Sequence, residues 1–131
     1  MKTINQKVII TNATPAQIYN GLLDSSMHSK FTGGKAKITN KTGDTFTAWD
    51  EYITGKNVEL IPDKKIVQEW KCTEFSDTAQ VSTLTLKFKK VPGGTEIIME
   101  HANVPVDLYN DLNKGWIDHY WKPMQKYFDK N

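Results

Sequence analysis

Large apolar side chains recur every fourth residue through the last segment of the chain. The stripe consists of Leu108, Leu112, Trp116, Tyr120, Met124 and Phe128. Side chains four residues apart lie on one side of an α-helix, so the stripe predicts a long helix over 105–128 with one broad apolar face. Such a face is stable only against another apolar surface, which the rest of the chain must supply. Pro123 lacks the backbone donor to His119, which predicts a kink or an early end of the helix there.

The segment 35–103 predicts the strands that supply this surface. On one side of its clearest alternation stand Ser82, Leu84, Leu86 and Phe88. Threonines and lysines lie between them, so one face of the strand is apolar and the other polar. The turn at Pro92 and Gly93 fits type II, because glycine accepts the positive φ of the second central position. Short turns of this kind connect antiparallel strands.

The N-terminal part predicts one more strand and two short helices. Residues 4–11 are rich in β-branched side chains, which favour a strand. Thr14 and Gln17 form a capping box around Pro15, and a second helix follows over about 25–30, ending before Gly33. The order of elements predicts an α+β fold, in which a curved antiparallel sheet surrounds the long C-terminal helix. The length of 131 residues fits a single domain, 1–131.

Composition argues against several classes of protein. All seventeen basic residues are lysine, and arginine is the usual reader of phosphates and guanine edges, so nucleic-acid binding is disfavoured. The longest apolar run near the N-terminus, from Val8 to Ile10, is too short for a signal peptide or a membrane span. The single cysteine, Cys72, cannot form an internal disulfide. We therefore expect a cytoplasmic protein without a membrane span.

Short motifs in order along most of the chain carry a family resemblance. They are Phe31-Thr32, Ala36, Gly43 with Phe46, Ile53-Thr54-Gly55, Leu60-Ile61-Pro62, Lys65-Ile66-Val67 with Trp70, Ser82 with Leu84, Gly94-Thr95-Glu96, His101, Val104-Pro105 and Gly115-Trp116 with Tyr120. With these motifs the chain resembles the activator-of-heat-shock-protein-90-ATPase homologue family, within the START-like (polyketide-cyclase-like, SRPBCC) superfamily. The resemblance implies the helix-grip (START-like, Bet v-like) fold, a cavity between the sheet and the last helix, and a 90-kDa heat-shock chaperone as partner.

A cavity of this kind would be lined by apolar residues of the strands and of the last helix. The candidates are Phe46, Trp70, Leu84, Leu86, Phe88, Ile97, Met99 and His101 on the strands and Trp116, Tyr120 and Met124 on the helix. A curved sheet that does not close tightly on a helix leaves a pocket for an apolar ligand. The alternative is that these side chains fill the core at normal packing density.

His101 is the strongest candidate for a chemical role. Alternation with Ile97 and Met99 points it inward, where a histidine could orient a ligand or act as a general base. The alternative is a structural histidine hydrogen-bonded to a backbone carbonyl near the start of the last helix. Because no second catalytic partner is visible, we predict no catalytic residue and no enzymatic activity.

Other polar residues predict neither a metal nor a cofactor site. The three histidines lack metal-ligand spacing, and Cys72 together with one histidine would not make a zinc site. We expect Cys72 to be a buried, inert thiol. Asp50 and Glu51 are predicted to lie in a strand, where neighbours point to opposite faces and cannot form a carboxylate pair.

Three functions remain open at this stage. The first is a chaperone-linked interaction module, whose lysines at 64–65 and 87–90 would meet an acidic partner surface. The second is a binding protein for a small hydrophobic ligand, a lipid or an aromatic metabolite. The third, an enzyme of the cyclase or hydrolase type, has only His101 in its favour.

Overall fold

A computed structural model describes residues 1–76 and 79–129 and contains one six-stranded sheet. The strands are β1 (Lys2–Thr11), β2 (Thr45–Ala48), β3 (Ile53–Ile61), β4 (Lys65–Cys72), β5 (Ser82–Val91) and β6 (Gly94–Val104). Their order is β1-β6-β5-β4-β3-β2, and each neighbouring pair is antiparallel. With the helix that the sheet surrounds, this is the α+β helix-grip fold, which confirms the predicted fold class.

The sheet buries one face of its long strands and exposes the other. In β4 and β6, alternate side chains are buried from Ile66 to Cys72 and from Thr95 to His101. The β5–β6 turn places Gly93 at φ +80°, the positive angle predicted for a type II turn. Every residue named as a cavity candidate is buried in the core between this face and the last helix.

Two short helices follow β1 and close one end of the core. Helix α1 (Pro15–Leu22) begins with the predicted capping box, in which the Thr14 hydroxyl accepts from the Gln17 amide and the Gln17 side chain accepts from Thr14. Helix α2 (Ser25–Thr32) runs two residues further than predicted. It ends at Gly33 in the left-handed conformation, where glycine is favoured.

The last helix is continuous but not regular. It passes from a 3₁₀ turn (Val106–Leu108) to α3 (Tyr109–Trp116), a π-helical segment (Ile117–Trp121) and α4 (Lys122–Asp129). Of the two outcomes predicted at Pro123, a kink or an early end, the early end was wrong, because the helix continues to Asp129. The π-helical segment ends two residues before the proline, and the Lys122 amide donates to the Ile117 carbonyl, five residues back. The wider turns replace the usual hydrogen-bond pattern where proline lacks a donor.

The outer edge of β1 lies against this helix and is closed by side-chain amides. The Thr11 amide donates to Gln125 Oε1 (2.8 Å), and Gln125 Nε2 donates to the Thr11 carbonyl (3.2 Å). Nearer the start of the strand, Gln6 Nε2 donates to the Asn113 carbonyl (2.7 Å) and Gln6 Oε1 accepts from Trp121 Nε1 (2.7 Å). At Thr11 a glutamine thus takes the place of a neighbouring strand. Within the described residues no helix has both the length and the apolar character needed to cross a membrane.

Candidate functional site

The space between the sheet and the last helix is almost completely filled. The void found there has a volume of about 20 Å³, which is room for a single water molecule. The predicted cavity residues that border it are Phe46, Trp70, Leu84, Leu86, Trp116 and Tyr120. Phe88, Ile97, Met99 and Met124 are buried in the surrounding core. The predicted residues are therefore brought together, but they enclose a packed core rather than a space of ligand size.

His101 lies fully buried in a defined hydrogen-bond chain. Trp116 Nε1, which can only donate, lies 3.1 Å from His101 Nδ1. The proton of a neutral His101 must then be on Nε2, which donates to Ser82 Oγ at 2.8 Å. Ser82 Oγ in turn donates to the Trp70 carbonyl at 2.6 Å. His101 is thus the structural histidine of the two alternatives, although its partners are a serine and a tryptophan instead of a backbone carbonyl.

The direction of these hydrogen bonds argues against catalysis by the Ser82–His101 pair. In an activated serine nucleophile the imidazole accepts the hydroxyl proton. Here the imidazole nitrogen that faces Ser82 carries its own proton, because the other nitrogen accepts from Trp116. Burial lowers the pKa of His101 from 6.5 to about 4, which keeps the ring neutral.

A second buried histidine, not singled out from the sequence, connects the helices. His28 Nδ1 lies 2.8 Å from the Leu22 carbonyl and must donate to it. The Tyr120 hydroxyl therefore donates to His28 Nε2, at 2.9 Å. Burial lowers the pKa of His28, although its hydrogen bond to Leu22 acts in the opposite direction. Burial also raises the pKa of the Tyr120 phenol. Both side chains are therefore neutral, and the hydrogen bond between them fixes Tyr120 at the boundary between core and surface.

Tyr120 also forms part of the floor of an open groove where the helix meets strands β3 and β4. The groove has a volume of about 490 Å³ and is rich in aromatic side chains. It is lined by Trp49, Tyr52, Ile53, Trp70, Asp111, Leu112, Gly115, Trp116, His119 and Tyr120, and these residues are called the aromatic groove below. Three residues predicted for the internal cavity, Trp70, Trp116 and Tyr120, thus reach this groove as well.

One wall of the aromatic groove is a left-handed turn. Trp49, Asp50 and Glu51 have φ values of +52°, +54° and +74°. The prediction that Asp50 and Glu51 lie in a strand was wrong, because the chain leaves β2 at Ala48 and re-enters the sheet at Ile53. Left-handed backbone costs roughly 1–2 kcal/mol for each ordinary L-residue, and three in a row persist only where tertiary contacts hold them.

Tertiary contacts hold both aromatic residues of this turn. The Trp49 ring packs against Gly34, where any Cβ would overlap it, and meets the His119 ring edge to face at 5.6 Å between centroids. The Tyr52 hydroxyl donates to the Glu74 carboxylate. Burial, with this hydrogen bond, raises the pKa of Tyr52. The turn is therefore fixed from both sides.

The opposite wall comes from the last helix. Asp111, Gly115 and His119 are spaced four residues apart, next to the core stripe that contains Leu112 and Trp116. That spacing was a signal in the sequence, because it gives the helix a second contact line beside the apolar one. The left-handed turn gave no such signal. Neither glycine nor asparagine stands at its three positions.

Metal and thiol chemistry find no support in the described residues. Over 1–76 and 79–129 no three histidine, cysteine, aspartate or glutamate side chains are grouped to hold a metal ion. Cys72 is buried, as expected for a structural thiol. Each buried side-chain nitrogen or oxygen in this part of the chain has a hydrogen-bond partner, so no buried polar atom is left to receive a bound group.

Comparison with known proteins identifies relatives along nearly the whole chain. A family model described as "Activator of Hsp90 ATPase homolog 1-like protein" matches residues 12–129. Activator of 90 kDa heat shock protein ATPase homolog 2 from Mus musculus is 28% identical over 105 residues, covering 80% of this chain and 31% of the mouse protein. Homolog 1 from Homo sapiens is 25% identical over 115 residues, covering 88% of this chain and 34% of the human protein.

A solved structure supports the fold. The crystal structure of an HSP90 activator from Plasmodium falciparum matches with a TM-score of 0.88 at 20% identity, covering 98% of this chain and 97% of that one. The chain spans about a third of the length of the curated relatives it matches. Those relatives are named as activators of an ATPase.

Proposed function

The chain belongs to the activator of Hsp90 ATPase homolog 1-like family, and from this premise we propose that it is an interaction module that binds a 90-kDa heat-shock chaperone and adjusts its ATPase rate. It has no catalysis of its own in this proposal. The names of its mouse and human relatives support the choice of partner. The direction of the hydrogen bonds at Ser82 and His101 supports the absence of catalysis, because His101 cannot act as a base towards this serine.

The packed interior is the observation that carries the proposal. A void of about 20 Å³ cannot hold a lipid or an aromatic metabolite, for which sites of roughly 300 Å³ or more are usual. The second function considered from the sequence was a small hydrophobic ligand between sheet and helix, and enclosing such a ligand would require this core to open. The outer surface is therefore the part of the molecule that supports recognition.

Lysines near the ends of the strands form the surface we assign to the chaperone. Lys65 is already paired with Glu59, at 2.7 Å, and Lys89 stands opposite Glu96 in the β5–β6 pairing. Lys64, Lys87 and Lys90 are exposed, and these three residues are called the lysine rim. An acidic partner surface would associate faster with this rim at low salt.

The experiment measures the steady-state ATPase rate of a 90-kDa heat-shock chaperone with and without the chain, together with direct binding. We expect complex formation, a changed ATPase rate, and no ATP hydrolysis by the chain alone. Replacing the lysine rim by glutamine should slow association and reduce its salt dependence. The matched control replaces the exposed Lys30, Lys41 and Lys126 by glutamine, which removes the same charge elsewhere.

The outcomes separate the parts of the proposal. If no complex forms even at a large molar excess of the chain, the chaperone is not its partner. If a complex forms but the rim and control variants associate equally fast at every salt concentration, another surface makes the contact.

We also propose that residues 1–131 work as one domain in the cytoplasm, without nucleic acid as a partner. The pairing of β1 with β6 supports one unit, because it joins the beginning of the chain to the last strand. The absence of arginine supports the lack of a nucleic-acid partner. Limited proteolysis would test the domain organisation, since early cleavage into two stable fragments would contradict it.

A further inference from the structure

We propose that the aromatic groove binds a small organic cation, an ammonium group carried on an apolar or aromatic body. The inference rests on the shape, charge and backbone of the groove and does not depend on chaperone binding. It places the ligand at the opening between the last helix and strands β3 and β4, beside the filled part of the space between helix and sheet.

Ring faces and edges form the walls and the floor of the groove. Trp116 lies between Tyr120, at 4.7 Å between centroids, and Trp70, at 6.1 Å. Trp49 reaches Tyr120 at 6.3 Å from the opposite wall. The negative faces of tryptophan and tyrosine rings attract cations, and tryptophan attracts them most strongly. Three tryptophans around one concave surface therefore favour a cation with apolar substituents over an anion or a sugar.

Charge at the groove points to the same class of ligand. Among its described lining residues the formal charge comes from Asp111, and none is a lysine. Asp50 and Glu51 lie in the turn that contributes Trp49, and Glu74 accepts the hydrogen bond from Tyr52. Asp50 and Glu51 themselves face a separate pocket that they share with Lys35 and Lys37, so the negative charge at the groove comes from Asp111 and from Glu74 behind Tyr52. This local excess of negative charge complements a cation.

Both irregular backbone segments described above meet at this groove. The left-handed turn supplies Trp49, and the π-helical segment supplies His119 and Tyr120. Each segment interrupts the regular strand or helix on either side of it, and such irregular segments concentrate at functional sites. The Trp49–His119 contact joins the two segments directly. His119 is exposed, so this contact lies at the edge of the core, against which Trp49 packs.

The volume of the groove favours a free small molecule over a single side chain of a partner protein. A volume of about 490 Å³ lies within the roughly 300–1,000 Å³ typical of sites for small molecules. A lysine or arginine side chain would leave most of it unfilled. The floor also reaches Trp70 and Trp116, which are 3% and 5% exposed and so offer a ligand only a small part of their rings.

The experiment titrates the whole chain with benzyltrimethylammonium and follows the four indole signals by nuclear magnetic resonance. The comparison ligand is neopentylbenzene, in which carbon replaces the charged nitrogen. We expect the signals of Trp49 and Trp70 to shift with the cation and to respond much less to the neutral compound at equal concentration. The Trp121 indole, which donates to Gln6 away from the groove, serves as the internal reference.

Two variants test the site itself. Trp49→Leu keeps an apolar side chain but removes the ring, and it should weaken cation binding by roughly threefold to thirtyfold. Asp111→Asn keeps shape and removes charge, and it should weaken binding by up to about fivefold. Asp107→Asn is the matched control, an exposed carboxylate near the start of the same helix that does not line the groove.

Each outcome supports or overturns the proposal. Equal binding of the neutral compound would show that the groove recognises apolar surface without regard to charge. Cation binding that survives both Trp49→Leu and Asp111→Asn unchanged would locate it elsewhere. No binding of either compound to a chain with native indole signals would also overturn it. Asp111→Asn keeps the test valid if Trp49→Leu disturbs the turn, because Asp111 is an exposed helix residue.

Discussion

The packed core and the aromatic groove share Trp70, Trp116 and Tyr120, yet one is closed to about 20 Å³ and the other is open at about 490 Å³. On the core side, regular strands with alternating side chains face a helix with a matching apolar stripe. On the groove side, a left-handed turn faces a π-helical segment. The same aromatic residues therefore fill space where alternating strand side chains face the helix, and they line an opening where the chain leaves the sheet in a left-handed turn.

Removing the central ring should have the largest effect on this comparison. Trp116 contributes to both regions and is 5% exposed. Trp116→Ala should lower the free energy of unfolding by roughly 3–5 kcal/mol, because it leaves a cavity and takes a donor from His101. Urea unfolding followed by circular dichroism measures the change. A loss below about 1 kcal/mol would mean that the ring belongs to the groove alone.

Acid should weaken the core through His101. Its pKa is about 4 in the folded chain and close to 6.5 in the unfolded chain. Below 6.5 the unfolded state binds a proton that the folded state does not, so stability is complete above pH 6.5 and falls until about pH 4. The difference corresponds to at most about 3 kcal/mol, to which His28 adds in the same direction.

Urea unfolding at several pH values checks this dependence. His101→Gln keeps hydrogen-bonding capacity without titrating, so its stability should fall less between pH 6.5 and 4 than that of the unmodified chain. Identical pH dependence in the two proteins would mean that His101 is protonated without cost and that its site is open to solvent.

Gly34→Ala should disturb the rim of the groove while leaving the core packed. A Cβ at Gly34 would overlap the Trp49 ring. Displacing a ring that is held by His119 and Tyr120 should cost about 1–3 kcal/mol, as overpacking usually does. Thermal unfolding gives the stability and Trp49 indole signals give the displacement. An unchanged Trp49 signal would show that the turn moves freely and is not fixed by its contacts.

Gly115→Ala makes the same substitution on the opposite wall and should have the smallest effect, with the opposite sign. A Cβ at Gly115 would meet only a His119 ring carbon, at the ordinary contact distance of 3.8 Å. Alanine favours a helix over glycine, so stability should rise by about 0.5–1 kcal/mol. Thermal unfolding measured beside Gly34→Ala checks the difference. A lower stability of Gly115→Ala would mean that the helix is packed more closely at Gly115 than the 3.8 Å contact with His119 indicates.

The sequence predicted the regular parts of the molecule because their residues repeat with the period of the backbone. Leu84 and Leu86 on β5 and the four-residue stripe that includes Trp116 placed the core and the helix opposite it. His101 was oriented correctly by alternation, but its partners were not predicted. Ser82 and Trp116 meet it from different elements, and their distances depend on how helix and sheet are packed.

The groove could not be predicted because its walls depend on departures from regular backbone. Ordinary L-residues do not favour three successive left-handed positions. The turn at Trp49, Asp50 and Glu51 therefore depends on contacts with residues distant in the sequence. Pro123 signalled an irregular helix, but the sequence did not specify that wider turns would precede it and place His119 against Trp49. The volume of the groove could least be predicted from the sequence, since it depends on how several aromatic rings pack together.

The position of Gln125 in the sequence has a consequence for the newly made chain, because the edge of β1 that it covers is synthesised first. Gln125 lies 114 residues after Thr11, so the first strand leaves the ribosome long before the side chain that covers it. An uncovered edge strand is a template for pairing with another chain, and β1 is ten residues long with Ile9 half exposed. Until the last helix docks, the nascent chain presents that edge to its neighbours. A residue made 114 positions after Thr11 therefore helps to determine whether β1 stays within its own molecule.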